Sequence, residues 1–242
     1  MKTAAIVPAY NESQSIAAVV NGLKAAAAQA GIDLTVVVVN DCSKDNTGAI
    51  IDMLPCVALH LPVNLGIGGA VQTGFRYALE NGFEAAVQVD GDGQHPAEAV
   101  PLLLRELQNG NGDVVIGSRF ITGQGFQSSF VRRLGIRWFS RLNFLLTGLR
   151  VADTTSGLRM FNRRALELVC HWYPDEYPEP EILVQFARAG LRVKEIPVQM
   201  RERQGGTSSI DSVRAVYYMW KVTLSIIFTR LRRIDFKHTI NK

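Results

Sequence analysis

Cysteine is scarce in this chain, with only Cys42, Cys56 and Cys170 among 242 residues. They form no CxxC pair and no even-numbered framework, which excludes a disulfide scaffold and predicts reduced thiols in a cytosolic protein. Long apolar runs are missing too. No stretch reaches the roughly 18 uncharged apolar residues that a membrane span requires. The Met1-Lys2-Thr3 start runs too soon into the polar Asn11-Glu12-Ser13 to hold a signal-peptide core. There is no internal repeat and no low-complexity tract. Charged residues make up 20% of the chain and hydrophobic ones 47%, which excludes a disordered protein.

What remains suits one large domain, or one domain with a short appendage. The net charge is a mild +4. Such an excess is compatible with an anionic substrate, an acidic membrane surface or nucleic acid, and chooses among none of them. Its distribution says more. Acidic residues gather in the first half at apparent loop ends, while arginine crowds into 132–150 and again into 201–233.

Short apolar runs alternate with helical patterns. Ala4–Val7, Leu34–Val39, Cys56–Leu61, Ala85–Val89 and Asp113–Ile116 read as strands, the first stopping at Pro8. Leu34–Val39 is continuous and β-branched, as a strand buried on both faces requires. Ile16, Val19, Val20 and Leu23 repeat at helical spacing, and Gly68–Leu79 and Pro101–Leu107 read as helices. The alternation predicts an α/β fold: a mostly parallel sheet flanked by helices. Beyond Gly117 the rhythm changes. A Gly/Ser/Gln stretch at Thr122–Ser129 reads as a loop and a basic helical segment follows. Then come Leu158–Phe161, a helix near Glu179–Ala189, an alternating strand Val193–Val198, and a last helix from Asp211 to Arg232. The expected division is a catalytic domain over 1–210, followed by a C-terminal amphipathic helix and tail over 211–242.

In open parallel sheets, ligands bind beyond the carboxyl ends of the strands. Four such ends carry chemistry here: Pro8-Ala9-Tyr10-Asn11-Glu12, Asn40-Asp41-Cys42-Ser43, Asp90-Gly91-Asp92-Gly93-Gln94-His95, and Gly117-Ser118-Arg119. Asp90 and Asp92 leave their strand through glycines, so both carboxylates can approach one cation with little hindrance. Mg²⁺ or Mn²⁺ prefers oxygen ligands and is held by one or two carboxylates plus substrate phosphates. Gln94 offers a further oxygen. An isolated pair of this kind reads as a solvated turn; the strand-end setting reverses that preference. An EF-hand fails downstream, because the loop meets Pro96 and position 12 is Pro101 rather than Glu. His95 reads as a polar turn residue sooner than as a ligand.

Asn64–Ala70 is glycine-rich but follows the third strand and lacks a P-loop ending, so it reads as a tight turn and a wall of the site. Arg119 fits a diphosphate contact and a surface salt bridge equally. Arg201, Arg203 and the following Gly205–Ser209 form a basic loop able to close over phosphates, or a plain linker. Asp153 is a candidate base or acceptor-orienting group, with a turn-capping aspartate as the alternative. Glu179 and Glu181 read first as complements to a helix dipole.

These segments, with Thr155-Ser156-Gly157-Leu158-Arg159 and Arg203–Ser209, occur in the order found in family 2 glycosyltransferases. The chain most resembles the dolichol-phosphate mannosyltransferase-like branch that includes polyprenyl-phosphate glycosyltransferases, over about residues 3–210. The resemblance implies a GT-A fold with acceptor-side helices at the C-terminal end, a nucleotide-diphosphate sugar donor, a divalent metal and inversion at the anomeric carbon. It implies that Pro8, Tyr10, Glu12 and Asp41 hold base and ribose. Asp90, Asp92 and Gln94 would hold metal and diphosphate. Arg119 and Arg203 would contact phosphates, Asp153 would sit by the acceptor, and Gly91, Arg159 and Ser209 would line the substrate site. Asn40 departs from the usual Asp-Asp-Gly-Ser. Ser208-Ser209 replaces a Ser-Lys ending, so one phosphate-binding cation is either missing or supplied by Arg201 instead.

A phosphate acceptor is already ionised near neutral pH and needs no strong base; a sugar hydroxyl needs one, and Asp153 is the candidate. Both a lipid-phosphate and a glycan acceptor stay open. The 130–150 segment mixes arginines with Trp138, Phe139 and Phe144. In the last helix Val213, Val216, Tyr217, Trp220, Leu224, Ile227, Phe228 and Leu231 share a face flanked by Arg214, Lys221 and Arg232; Val222 and Ile226 fall off it. That pattern fits peripheral attachment to the inner face of an anionic cytoplasmic membrane, or packing on the domain or on a second copy in a homo-oligomer. A sugar nucleotidyltransferase would carry a glycine-rich loop after the first strand, which Pro8–Glu12 is not. A non-catalytic nucleotide-sugar binding protein would show no metal dependence. Nucleic acid is not an expected partner, because the basic residues flank a carboxylate-lined rim that repels phosphates unless a metal is bound.

Overall fold

The apolar runs form the centre of the molecule. β1 (Thr3–Ala9) is buried at every residue and β2 (Leu34–Asn40) at all but one, the condition of strands covered on both faces. The computed structural model describes residues 1–121, 130–174, 178–201 and 212–232. After β1 come α1 (Ile16–Ala30), β2, α2 (Thr47–Ile51), β3 (Val57–His60), α3 (Gly66–Glu80), β4 (Ala85–Gln88), α4 (Ala99–Gln108) and β5 (Val114–Ser118). The second half holds α5 (Phe130–Thr147), β6 (Arg159–Asn162), α6 (Arg163–His171), α7 (Pro178–Arg188), β7 (Val193–Pro197) and α8 (Ser212–Leu231).

The strands make one seven-stranded sheet in the order β3-β2-β1-β4-β6-β5-β7. β1, β2, β3 and β4 run parallel, as do β5 and β7. β6 is antiparallel to both neighbours, β4 and β5. Side chains alternate between two cores. Ala4 and Ile6 join Phe75, Phe161, Leu166 and Phe186 under α3, α6 and α7. Ala5, Val7 and Ala9 join Ile16, Val20, Leu23, Leu103 and Leu104 under α1 and α4.

The structure departs from the sequence reading at defined points. β1 does not stop at Pro8 but continues to Ala9, because pairing with β4 ends at Ile6↔Gln88 and Pro8 pairs only with Val39 of β2. A residue lacking an N–H is tolerated beyond the last rung of a ladder. α6 follows β6 without a break; Asn162 caps it by accepting the Ala165 N–H at 2.9 Å. α8 packs through Val222 and Ile226, both fully buried against Phe139 and Val184. These are the residues the sequence reading left off the apolar face, while Trp220, Phe228 and Leu231 from that face point outward. Among the described residues no helix is long and apolar enough to cross a membrane. The 122–129 loop lies outside the described residues, as do the side chains of Val213, Arg214, Val216 and Tyr217.

Gly74 shows what holds α3 to the sheet. A Cβ there would stand 2.2 Å from Ile6 Cγ2 and 3.3 Å from Val39 Cγ2. Helix propensity alone favours alanine over glycine by about 1 kcal/mol. Overpacking a tight core costs about 1–3 kcal/mol, and a 2.2 Å approach leaves no small adjustment. Gly74→Ala is therefore expected to lower stability in urea unfolding despite its better propensity; a stabilised variant would contradict the packing described.

Candidate active site

The strand order places the site. β1 feeds α1 and β2 toward one edge of the sheet, and the chain later returns to β4 on the other side of β1. Loops leaving β1 and β4 therefore diverge and open a crevice at their carboxyl ends, the switch point where such sheets bind ligands. The Asp90–Gln94 segment leaves β4, and Pro8–Glu12 leaves β1. They touch: a Cβ on Gly91 would lie 3.0 Å from the Pro8 carbonyl oxygen, and Ser15 Oγ donates to Gly91 O at 2.7 Å. Gly91 is thus required for close backbone approach.

The Asp90–His95 loop is held by its own polar atoms. Gln94 N donates to Asp92 Oδ1 at 3.0 Å, Asp90 N donates to His95 Nδ1 at 2.9 Å, and Gly93 turns at φ 77. Asp92 is buried, whereas the Asp90 carboxylate is about one-third exposed. Burial pushes the His95 pKa down to about 4, against the attraction of Asp92. Asp90, Gln94 and His95 line a cavity of about 50 Å³ with Arg119, Thr155, Ser156, Gly157 and Met200. That is room for a cation or a water or two; a nucleotide-sugar would extend from it along the rim.

Antiparallel β6 returns the 153–158 turn to this rim. Gly157 sits directly over Asp90: a Cβ there would meet Asp90 Oδ1 and Oδ2 at 3.0 Å each and Gln88 Nε2 at 3.2 Å. The missing side chain is what leaves space against the carboxylate. Among the described residues no three His, Cys, Asp or Glu side chains converge on a metal position. Of the oxygen donors read from the sequence, Asp90 and Gln94 line the cavity and Asp92 is buried in the same loop; oxygen donors of this kind fit a hard dication whose remaining ligands are phosphate and water.

Asp153 is not available as the base that a hydroxyl acceptor would need. It is fully buried. Arg119 donates to it through Nε (2.7 Å), Nη2 (2.7 Å) and its backbone N (3.1 Å). Burial works against the Arg119 charge, but the Asp153 carboxylate outweighs it and raises the arginine pKa. Arg119 lines the cavity while its Nε and Nη2 are committed to this carboxylate. Breaking such a buried pair costs about 3–5 kcal/mol, so it fixes the turn. Glu195 completes the hold, accepting Ala152 N at 2.7 Å and Asp153 N at 2.9 Å.

Arg159 is not exposed to substrate either. Its Nε and Nη2 donate to the Ser156 and Thr154 carbonyls at 2.8 and 2.9 Å, beneath the turn. Its burial presses the pKa down, opposed mainly by the Glu179 carboxylate. Glu179, half-buried in the first turn of α7, has its own pKa raised by burial, opposed by the Arg159 charge in the floor of the site. Tyr173 donates to Gln88 Oε1 at 2.9 Å in the same floor.

On the other side of the crevice, Asp41 caps α3. Its Oδ1 accepts Leu65 N at 2.7 Å and its Oδ2 accepts Gly66 N at 2.9 Å, satisfying helix N–H groups that lack intrahelical partners. It shapes the wall and is buried, at odds with a direct ribose contact. Tyr10 is exposed at the rim, and Glu12 Oε2 lies 3.0 Å from the Ser15 hydroxyl. Asn40 bridges Ser43 N and His60 Nδ1. Arg201 N donates to Gln94 O at 2.9 Å, and its Nη2 lies 3.1 Å from both Glu98 carboxylate oxygens. Arg203 and Ser209 lie outside the described residues. Sequence reasoning missed Ser15, Gly157 as a spacer, and Glu195; a glutamine inside the apolar β4 run was the one visible sign of a polar floor.

The family model for glycosyl transferase family 2 matches residues 4–169. The undecaprenyl-phosphate mannosyltransferase of Micrococcus luteus is 32% identical over 220 residues, covering 87% of this chain and 88% of that protein. The polyprenol monophosphomannose synthase of Mycolicibacterium smegmatis is 29% identical, covering 96% and 89%. Among solved structures, glucosyl-3-phosphoglycerate synthase from Mycobacterium tuberculosis, in complex with Mn²⁺, uridine diphosphate and glucosyl-3-phosphoglycerate, superposes with a TM-score of 0.71 at 18% identity, covering 97% of this chain and 81% of that one.

Gly157→Ala should keep the fold and close the space over Asp90. The expected result is a melting temperature within a few degrees of the parent and at least about tenfold weaker Mn²⁺ binding by electron paramagnetic resonance. Unchanged Mn²⁺ affinity would show that the space is not used.

Proposed function

The chain belongs to glycosyl transferase family 2, with a GT-A fold, and from that premise we propose that it transfers a sugar from a nucleotide-diphosphate sugar to a polyprenyl phosphate, with inversion. The observation that carries the donor half is the Asp90 carboxylate on the cavity wall at the β1/β4 switch point, kept open by Gly157. The acceptor half is supported by two relatives named for undecaprenyl phosphate and for polyprenol monophosphomannose. It is also supported by the locked state of Asp153, which removes one base that a hydroxyl acceptor would require.

Asp90 and Asp92 would hold a divalent ion, Mg²⁺ or Mn²⁺, with Gln94 beside them. Such an ion, when bound, neutralises charge on the departing nucleoside diphosphate. The protein does the rest by position. Tyr10 offers a ring face to the base, Pro8, Glu12 and Gly91 shape the ribose side, and Asp41 fixes the α3 wall behind it. A phosphate oxygen of the acceptor attacks the anomeric carbon as the bond from that carbon to the diphosphate oxygen breaks on the opposite face. The acceptor enters already ionised, so no side chain needs to take a proton. Arg119, through Asp153, holds the 153–157 turn at the reacting centre. Arg203 and Ser209 are proposed to contact the phosphates.

The outer helices fit a lipid acceptor. Trp138 and Trp220 are 48% and 66% exposed, and Trp138 Nε1 donates to Thr223 Oγ1 at 3.0 Å, so the aromatics of α5 and α8 share one surface. Leu134, Phe144, Leu145, Phe228 and Leu231 are exposed with them, among Arg137, Arg141, Arg150, Arg230 and Arg232. Exposed aromatics interleaved with arginine suit an anionic membrane surface, and peripheral attachment is the proposed location. We take 1–210 as the catalytic unit and 211–242 as the helix and tail that serve this contact.

The test incubates the protein with a panel of nucleotide-sugars, Mg²⁺ or Mn²⁺, and undecaprenyl phosphate in vesicles, and reads lipid-linked sugar. Transfer from at least one donor is expected. It should be lost on chelation and reduced about 10²-fold or more in Asp92→Ala. No transfer to the lipid from any donor would overturn the acceptor assignment, and an active Asp92→Ala would overturn the metal assignment.

A further inference from the structure

His95 touches Asp90 twice. Its Nδ1 accepts the Asp90 backbone N–H at 2.9 Å, and its Nε2 lies 3.6 Å from Asp90 Oδ2. A ring nitrogen that accepts an N–H carries no hydrogen of its own, so the ring hydrogen resides on Nε2, facing that carboxylate. At 3.6 Å the second contact is longer than a hydrogen bond; the ring orients Oδ2 through its N–H dipole and by filling the space behind it. The imidazole side chain is only 7% exposed, so it does not swing freely.

The carboxylate is confined from the other side as well. Both Asp90 oxygens stand 3.0 Å from the position a Cβ on Gly157 would occupy. Asp90 therefore lies between the His95 ring and the open space over Gly157. Within the same loop Gln94 N pins Asp92 Oδ1 at 3.0 Å, and Arg201 N holds the Gln94 carbonyl at 2.9 Å. The ring closes this loop back on its first residue, so one side chain sets both the backbone and the carboxylate of Asp90. Direct ligation by His95 is disfavoured by the same contacts, since Nδ1 is already used and Nε2 presents a hydrogen.

We propose that His95 is a positioning residue: it holds the Asp90 carboxylate toward Gly157 before cation and diphosphate arrive, and acts on them only through Asp90. This inference rests on the metal reading of Asp90 and Asp92. Groups behind a ligand that fix its orientation typically change metal affinity by about 10–100-fold when removed.

The experiment measures Mn²⁺ affinity by electron paramagnetic resonance in the presence of a nucleoside diphosphate, with melting temperature as the fold control. His95→Phe keeps the shape without nitrogen and is expected to bind Mn²⁺ at least about tenfold more weakly. His95→Asn returns an acceptor near the Nδ1 position and is expected to recover most of that loss. At saturating Mn²⁺ the kcat of both should stay within about threefold of the parent, whereas the Mn²⁺ concentration for half activity rises in His95→Phe. If His95→Phe does not fold, His95→Gln replaces it, since its amide reaches the Nε2 position without an acceptor at Nδ1; it is expected to bind more weakly than His95→Asn. Parent-like affinity in His95→Phe, no recovery in His95→Asn, or imidazole nitrogen coupling to Mn²⁺ in spin-echo spectra of the parent would each overturn the proposal. Asp92→Ala, measured alongside, separates the two ideas: retained Mn²⁺ binding there would sink the metal reading itself.

Discussion

Everything at the site depends on the reversal of strand order about β1. Because β2 lies on one side of β1 and β4 on the other, the connections leaving β1 and β4 diverge after their first residues. The crevice between them is a consequence of topology, and the polar residues at its edges are free to specialise. The close approach of Gly91 to Pro8 and the Ser15–Gly91 hydrogen bond narrow its inner end. Without that spacing the Asp90–Gln94 segment would be another acidic turn on a protein surface.

The second half of the chain turns the crevice into a pocket. β6 enters antiparallel between β4 and β5 and delivers the 153–158 turn over Asp90. The turn carries little apolar surface of its own. It is held by charge: Asp153 inside the Arg119 fork, Arg159 on the carbonyls of Thr154 and Ser156, and Glu195 on two backbone N–H groups. A buried ion pair contributes little net stability when compared with apolar packing, yet it penalises any rearrangement that separates its partners. That is the property a rim needs when one wall must hold position within an ångström of a reacting centre. It also explains why residues that look like substrate ligands in the sequence are employed in holding the protein to itself.

Much of the fold was legible because burial on both faces leaves a mark: Leu34–Val39 and Ala85–Val89 read as strands from composition alone, each within one residue of the strand found. The rim residues were legible for a related reason, since polar groups directly after such strands face the carboxyl edge. What the sequence could not show was the partner of each polar group. Asp41 and Asp153 have the composition of ligands, but a helix N-terminus and a guanidinium reach them first. The place of β6 was hidden because four residues, Arg159–Asn162, carry no sign of which neighbours they pair with. The docking of α8 rests on Val222 and Ile226, two residues off the apolar face read from the sequence, while Trp220, Phe228 and Leu231 of that face stay exposed.

The central claim is that a cation and a nucleoside diphosphate occupy the crevice over Asp90, in the space that Gly157 leaves. Crystals soaked with Mn²⁺ and nucleoside diphosphate, with data collected at the manganese edge, address it directly. An anomalous peak within coordination distance of the Asp90 and Asp92 carboxylates, with the nucleoside diphosphate in the crevice by Gly157, is the expected result. A nucleotide bound with its phosphates away from that loop, or a manganese peak elsewhere on the protein, would contradict it.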